Sequence, residues 1–185
     1  MNKTDLKIIA SQEIFQTRKL SLRLDEYLLP DSNVLCTHYV FDLPDCANAV
    51  ALDREGNVLL VKQYRYACNE YVIELPGGTV EKNDASMEAC IARELSEETG
   101  YSFSNIKPLG VTCLSPHISS NKLYMFLATG GTLQNKLPAD PEENIEVIKM
   151  PLAEAVYKVL HKEILANGHL TCFFYAMLEL GLLHE

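Results

Sequence analysis

The chain has 185 residues, of which 48% are apolar and 22% charged, and a formal net charge of −9. That length favours one domain with room for a small appended element, and the composition supports a sizeable core and excludes wholesale disorder. The acidic balance argues against a nucleic-acid or membrane-surface partner, since phosphates would be repelled, although bound divalent cations can reverse the sign locally for a phosphate substrate.

In chain order, Glu13–Thr17, Leu20–Leu29 and Val34–Phe41 carry β-type patterning broken by a polar turn, and so predict a small N-terminal sheet. Asn48–Leu52, the turn Asp53–Asn57 and Val58–Gln63 read as a hairpin. Tyr71–Leu75 reads as a strand stopped by Pro76-Gly77-Gly78. Ala85–Thr99 is the strongest helix: Met87, Ile91 and Leu95 form an apolar stripe at four-residue spacing, Asp84 or Ser86 can cap its start, and Gly100 can end it. Val111–Leu114, Leu123–Ala128 and Ile145–Met150 read as core strands. Pro151 opens a helix to about Leu165, and His169–Leu182 is a last apolar helix after the Asn167-Gly168 break. Strands interleaved with few helices suggest an α/β sandwich on a mixed sheet. The six cysteines (Cys36, Cys46, Cys68, Cys90, Cys113, Cys172) form no CxxC pair, which argues against structural zinc. With a polar start, MNKTDLKIIA, and no apolar run of membrane-spanning length, the expectation is a cytoplasmic chain with reduced, buried thiols.

The chemistry concentrates in Gly77–Tyr101. Glu94 and Glu98, four residues apart, project from one helix face, and Glu97 borders them. Like charges so spaced destabilise a bare helix by about 0.2–0.5 kcal/mol, and the negative helix C-terminus adds to the repulsion. A hard divalent cation with oxygen ligands relieves both. Arg93 can reach Glu97 one turn on and fix its orientation. Glutamate-rich helix ends are commonly just solvated faces. Here, however, a Gly-Gly pair follows a strand, a glycine ends the helix beyond the carboxylates, and the opposite apolar stripe demands burial.

This segment resembles the Nudix box, G-x5-E-x7-R-E-U-x-E-E-x-G-U. Arg93-Glu94-Leu95-Ser96-Glu97-Glu98-Thr99-Gly100-Tyr101 fits its second half, with an aromatic at the last position. The first half exceeds the pattern by one residue: Asp84 stands at the first acidic position counted from Gly78, and the extra residue falls between Asp84 and Ala92. The resemblance implies a Nudix-type α/β/α sandwich with a mixed sheet. It implies Mg²⁺, or Mn²⁺ in its place, held by Glu94, Glu98, Glu97 and the Gly77 carbonyl. Arg93 then orients Glu97, which either ligates or positions water.

Val58-Leu59-Leu60-Val61-Lys62-Gln63-Tyr64-Arg65 followed by Glu74-Leu75-Pro76-Gly77-Gly78 resembles the ADP-ribose pyrophosphatase and nucleotide-sugar branch. That resemblance implies substrate contacts from Arg65 and Glu74 and from Pro116, fifteen residues past Tyr101. The branch often has Pro-Gly and a downstream glutamate there, whereas this chain has Pro116-His117 and Asn121, and His117 itself can contact a terminal ribose or phosphate. It also implies a late catalytic carboxylate, Glu143 or Glu142, from the acidic stretch Pro141–Val147. Tyr64 and Tyr66 can stack on a base, with core packing their default. The branch further implies residues 1–45 as a β extension that builds a homodimer and 46–185 as the hydrolase domain. The expected reaction is hydrolysis of ADP-ribose or a related nucleoside diphosphate sugar to a nucleoside monophosphate and a sugar phosphate. Alternatives are GDP-mannose, a nucleoside triphosphate or dinucleoside polyphosphate as substrate, or a catalytically silent nucleotide-binding regulator, although all three box glutamates are present.

Overall fold

The computed structural model describes residues 7–29, 34–134, 145–164 and 167–183. It separates into two compact units, Met1–Pro44 with Cys113–Lys122, and Asp45–Thr112 with Leu123–Glu185.

In the first unit, β1 (Lys7–Gln16), β2 (Ser21–Leu28) and β3 (Leu35–Asp42) form an antiparallel sheet in that order. Cross-strand partners share a face, so the register separates two kinds of surface. On one, Asp25 is fully buried between Ser11 and His38, accepts from Ser11 Oγ at 2.7 Å and pairs with Arg23 at 2.9 Å. Arg23 pairs in turn with Asp42. On the other, Phe15, Leu22 and Phe41 align, as do Leu28 and Leu35, while Tyr39 lies opposite Leu24. Phe15, Leu28, Leu35 and Tyr39 are all exposed there, Tyr39 by 58%. The 115–119 segment joins β3 through Phe41 N to Ile118 O at 2.8 Å.

The second unit is built on a mixed sheet of eight strands. Its path runs β11 (Glu146–Pro151), β5 (Asn57–Arg65), β4 (Cys46–Asp53), β10 (Lys122–Leu133), β8 (Tyr101–Ser102). β6 (Glu70–Glu74) pairs with β5, β7 (Gly77–Thr79) with β4, and β9 (Asn105–Cys113) with β10. Only the β4–β10 neighbours on this path run parallel. Every residue from Ala47 to Asp53 is buried, as expected for a strand covered on both faces. Ala47, Ala49 and Ala51 cluster with Phe126 and with Cys90, Ile91 and Leu95 of α1 (Met87–Thr99). Alanines at alternate positions let this helix lie close to the strand. α2 (Leu152–Leu160) follows β11, and α3 (Asn167–Glu179) packs against β4, with Cys172 donating to Phe126 O.

Several boundaries differ from expectation. α1 starts at Met87, because Ser86 Oγ accepts from Ala89 N at 3.1 Å, and Gly100 ends it in the left-handed region at φ 77°. β6 stops at Glu74, ahead of Pro76-Gly77-Gly78 as expected, but the glycine pair also opens a further strand, β7, in register with Asn48 and Ala47. Val111, expected in a core strand, is 52% exposed on β9, where no residue is fully buried. α2 ends at Leu160 rather than near Leu165, and α3 includes the Asn167-Gly168 pair expected to break the chain and ends at Glu179. Tyr64 and Tyr66 do not enter the core: they meet edge to face, Tyr64 also meets Tyr71, and Tyr66 is 85% exposed. Of the six free thiols only Cys90 and Cys172 are buried, while Cys68 and Cys113 are exposed. No helix among the described residues is long and apolar enough to cross a membrane.

Candidate active site

α1 delivers four charged side chains to one place, and Arg93 organises them. Its Nη1 donates to Glu94 Oε1 and to Glu97 Oε2, each at 2.9 Å. Its Nε and Nη2 donate to Asp84 Oδ1 and Oδ2 at 3.1 and 3.0 Å, and Nη2 also donates to Thr79 O at 3.2 Å. The planar fork is what permits this, since five donors in fixed directions can serve four partners together. Asp84, which also accepts from Glu81 N at 2.8 Å, is held down at about 2, first by the Arg93 hydrogen bond. Arg93 is pushed up, with Asp84 again the main cause. The extra residue in the first half of the box therefore leaves its acidic position in contact with the arginine.

The glycine pair meets Glu98 and Glu94. Gly77 N donates to Glu98 Oε2 at 2.8 Å, and Glu98 is only 6% exposed. Gly77 sits at φ 153°, and a Cβ there would lie 2.2 Å from Ala47 O. At Gly78 a Cβ would lie 2.5 Å from Glu94 Oε1. Glycine is thus required twice, once for backbone conformation and once to leave room for a carboxylate.

Among the described residues no three acidic, histidine or cysteine side chains stand ready-clustered around a cation; Arg93 instead bridges Glu94 and Glu97. The donor set nonetheless fits a hard divalent cation. It is all oxygen, lies on one helix end with no basic residue in its last turn, and includes a carboxylate in the space left by the missing Gly78 side chain.

Glu74 and Arg65 meet each other: Arg65 Nε and Nη2 both lie 2.7 Å from Glu74 Oε2, and Gln63 Nε2 donates to the same oxygen at 3.3 Å. Glu74 is buried and the Arg65 side chain 44% exposed. His169, absent from the sequence expectations, completes this group, with Nε2 3.5 Å from Glu74 Oε1 and Nδ1 accepting from Leu75 N at 3.0 Å. No local motif marks it, because its partners lie over ninety residues earlier in the chain. Pro116 and His117 are exposed residues of the first unit, where they line a cavity of about 330 Å³ with Tyr27, Cys36, His38 and Val40. Glu142 and Glu143 lie outside the described residues.

The chain is similar to several known proteins. A "methanol dehydrogenase activator" of Bacillus methanolicus is 27% identical over 97% of this chain and 96% of its own. An "ADP-ribose pyrophosphatase" of Bacillus subtilis (strain 168) is 28% identical over 89% of this chain and 88% of its own. A solved structure titled "Crystal structure of ADP compounds hydrolase" superposes with a TM-score of 0.83 over 95% of this chain and 94% of that one; at 17% identity it bears out the mixed α/β fold alone. The NUDIX domain family model matches residues 42–170, well over half of the chain and including the whole Arg93-centred site. The chain belongs to the NUDIX family.

Proposed function

We propose that the chain hydrolyses the diphosphate linkage of ADP-ribose or a related nucleoside diphosphate sugar, releasing a nucleoside monophosphate and a sugar phosphate. The observation that carries this reading is the Arg93 fork, which holds Glu94 and Glu97 together while Glu98 accepts from Gly77 N. The similarity to a relative named as an ADP-ribose pyrophosphatase supports the substrate class. Glu94, Glu98, Glu97 and the Gly77 carbonyl would hold a divalent cation, Mg²⁺ first and Mn²⁺ as substitute. When bound, such a cation polarises phosphoryl oxygens and lowers the pKa of water. The protein's own contribution is positional: Arg93 keeps Glu97 pointed at the site to orient an attacking water, and Gly78 leaves Glu94 its space. Arg65, poised on Glu74, presents a half-exposed guanidinium to a phosphate or base, and Pro116 and His117 supply further substrate contacts. A late carboxylate, Glu143 or Glu142, completes deprotonation of the water. The exposed apolar face of the β1–β3 sheet supports pairing of two copies of the chain.

A second reading follows from the near full-length similarity to an activator of another enzyme: the chain acts on a nucleotide only in the service of a partner protein. One experiment separates the two. The purified chain is incubated with a panel of nucleotide sugars, nucleoside triphosphates and dinucleoside polyphosphates, with Mg²⁺ or with excess EDTA, and products are identified. Rapid Mg²⁺-dependent release of AMP from ADP-ribose supports hydrolysis as the chain's own activity. Full activity in excess EDTA, or no turnover of any diphosphate, overturns it.

A further inference from the structure

We infer that His169, in the first turn of α3, is a positioning residue for the active site: its Nδ1 accepts the Leu75 amide proton and so fixes the strand end that presents Gly77 to Glu98. The inference rests on the proposed hydrolysis. Three successive residues are each tied down through a backbone group by a different element. Leu75 N donates to His169 of α3 at 3.0 Å, Pro76 O accepts from Ala49 N of β4 at 3.1 Å, and Gly77 N donates to Glu98 of α1 at 2.8 Å. Each tie limits the freedom of the next, because Gly77 is the one residue of the three with φ in the left-handed region, at 153°, and no side chain to hold it there.

The imidazole suits this role. Leu75 is 1% exposed, so water cannot stand in for a lost acceptor, and a buried N–H without a partner is disfavoured. Because Nδ1 accepts, the ring proton resides on Nε2, which faces Glu74 Oε1 at 3.5 Å. Glu74 in turn holds Arg65, so one ring touches both the backbone leading into the glycine pair and the carboxylate that aims Arg65. Burial lowers the proton affinity of His169; Glu74 opposes this and Arg65 reinforces it, leaving the accepting lone pair in place at neutral pH.

The test compares His169→Asn, whose amide oxygen stands where Nδ1 does, with His169→Phe, which keeps the ring and removes the acceptor. Each full-length variant is followed by steady-state kinetics with ADP-ribose and Mg²⁺, by thermal melting and by amide hydrogen exchange. The expected result for His169→Phe is a fall in kcat of about 10- to 100-fold with KM little changed. Exchange at Leu75 and Gly77 should be faster while the rest of the sheet stays protected, and His169→Asn should recover most of both. The exchange readout does not depend on turnover, so it decides the clamp even if the hydrolysis reading fails. Wild-type kcat in His169→Phe, unchanged exchange at Leu75 and Gly77, or equal losses in both variants would overturn the inference.

Discussion

Adding one methyl group at Gly78 separates catalytic geometry from stability. A Cβ at this position would lie 2.5 Å from Glu94 Oε1 and 2.6 Å from the carboxyl carbon and Oε2. Ordinary van der Waals contact begins near 3.4 Å, so the carboxylate must retreat by about 0.9 Å. Gly78 has no left-handed φ, and what it meets is the tip of a flexible side chain, so the fold can absorb the change. The melting temperature of Gly78→Ala should stay within about 2 °C of wild type. Displacement of a reacting group by about 1 Å costs on the order of 100-fold in rate, and that is the fall in kcat/KM expected in an ADP-ribose assay with Mg²⁺. Gly77→Ala makes the opposite control. Its Cβ would meet the Ala47 carbonyl at 2.2 Å from a backbone that disfavours any side chain, so it should lose about 1–3 kcal/mol of stability. A Gly78→Ala enzyme with kcat/KM within about threefold of wild type would refute the argument that Glu94 must occupy that space.

The carboxyl of Asp84, held at about 2 by Arg93, contributes stability that is full above about pH 5 and lost as pH falls through 4 towards 2; the direction follows because the unfolded chain binds the proton more tightly. Urea midpoints measured between pH 6 and 3 should fall less steeply in Asp84→Asn than in wild type. Two copies should pair through the apolar face bearing Phe15, Leu35 and Tyr39, giving twice the 20.7 kDa mass by light scattering, and Tyr39→Asp should yield monomer. Glu143→Gln should lower kcat by about 100-fold or more with metal affinity little changed. Near wild-type kcat in both Glu143→Gln and Glu142→Gln would move the base into the box, with Glu97 first.

What local periodicity can encode was legible. Met87, Ile91 and Leu95 at four-residue spacing located α1, and Gly100 marked its end, because a helix's buried face and its left-handed cap are both written within a few residues. The placement of Glu94, Glu97 and Glu98 at one helix end was legible for the same reason. Couplings that close over distance were not. Gly78 stands sixteen residues before the Glu94 it accommodates, and His169 comes ninety-four after Leu75. Apolar runs misled at the sheet's margin: Val111 belongs to β9, which among the described residues pairs with β10 alone, and its apolar character did not bring burial. The tyrosines misled likewise. At a hairpin end they satisfy one another edge to face, with Tyr64 donating to Asn69 Oδ1 at 2.6 Å, and need no core.

Arg93 supports a last prediction, since its role depends on shape as much as on charge. Three glutamates crowd a helix end that has no basic residue in its last turn, and the helix dipole adds to their repulsion. Any cation there would offset part of that field. Only a guanidinium can reach Asp84 through two nitrogens while one further nitrogen bridges Glu94 and Glu97, because a lysine ammonium is a single atom with three donors. Arg93→Lys therefore preserves net charge and loses the span. Either the ammonium stays with the glutamates and frees Asp84, or it follows Asp84 and frees Glu97. In both cases Glu97 and Asp84 are no longer held relative to each other, and kcat should fall by about 100-fold while KM changes little. The acid limb of stability should also become shallower, because Asp84 returns toward the ordinary carboxylate range as its two-point contact is lost. Kinetics and urea midpoints on Arg93→Lys and Arg93→Gln distinguish span from charge. Equal losses in the two variants are expected if the span governs, whereas wild-type rates in Arg93→Lys alone would show that charge suffices and that the fork geometry is incidental.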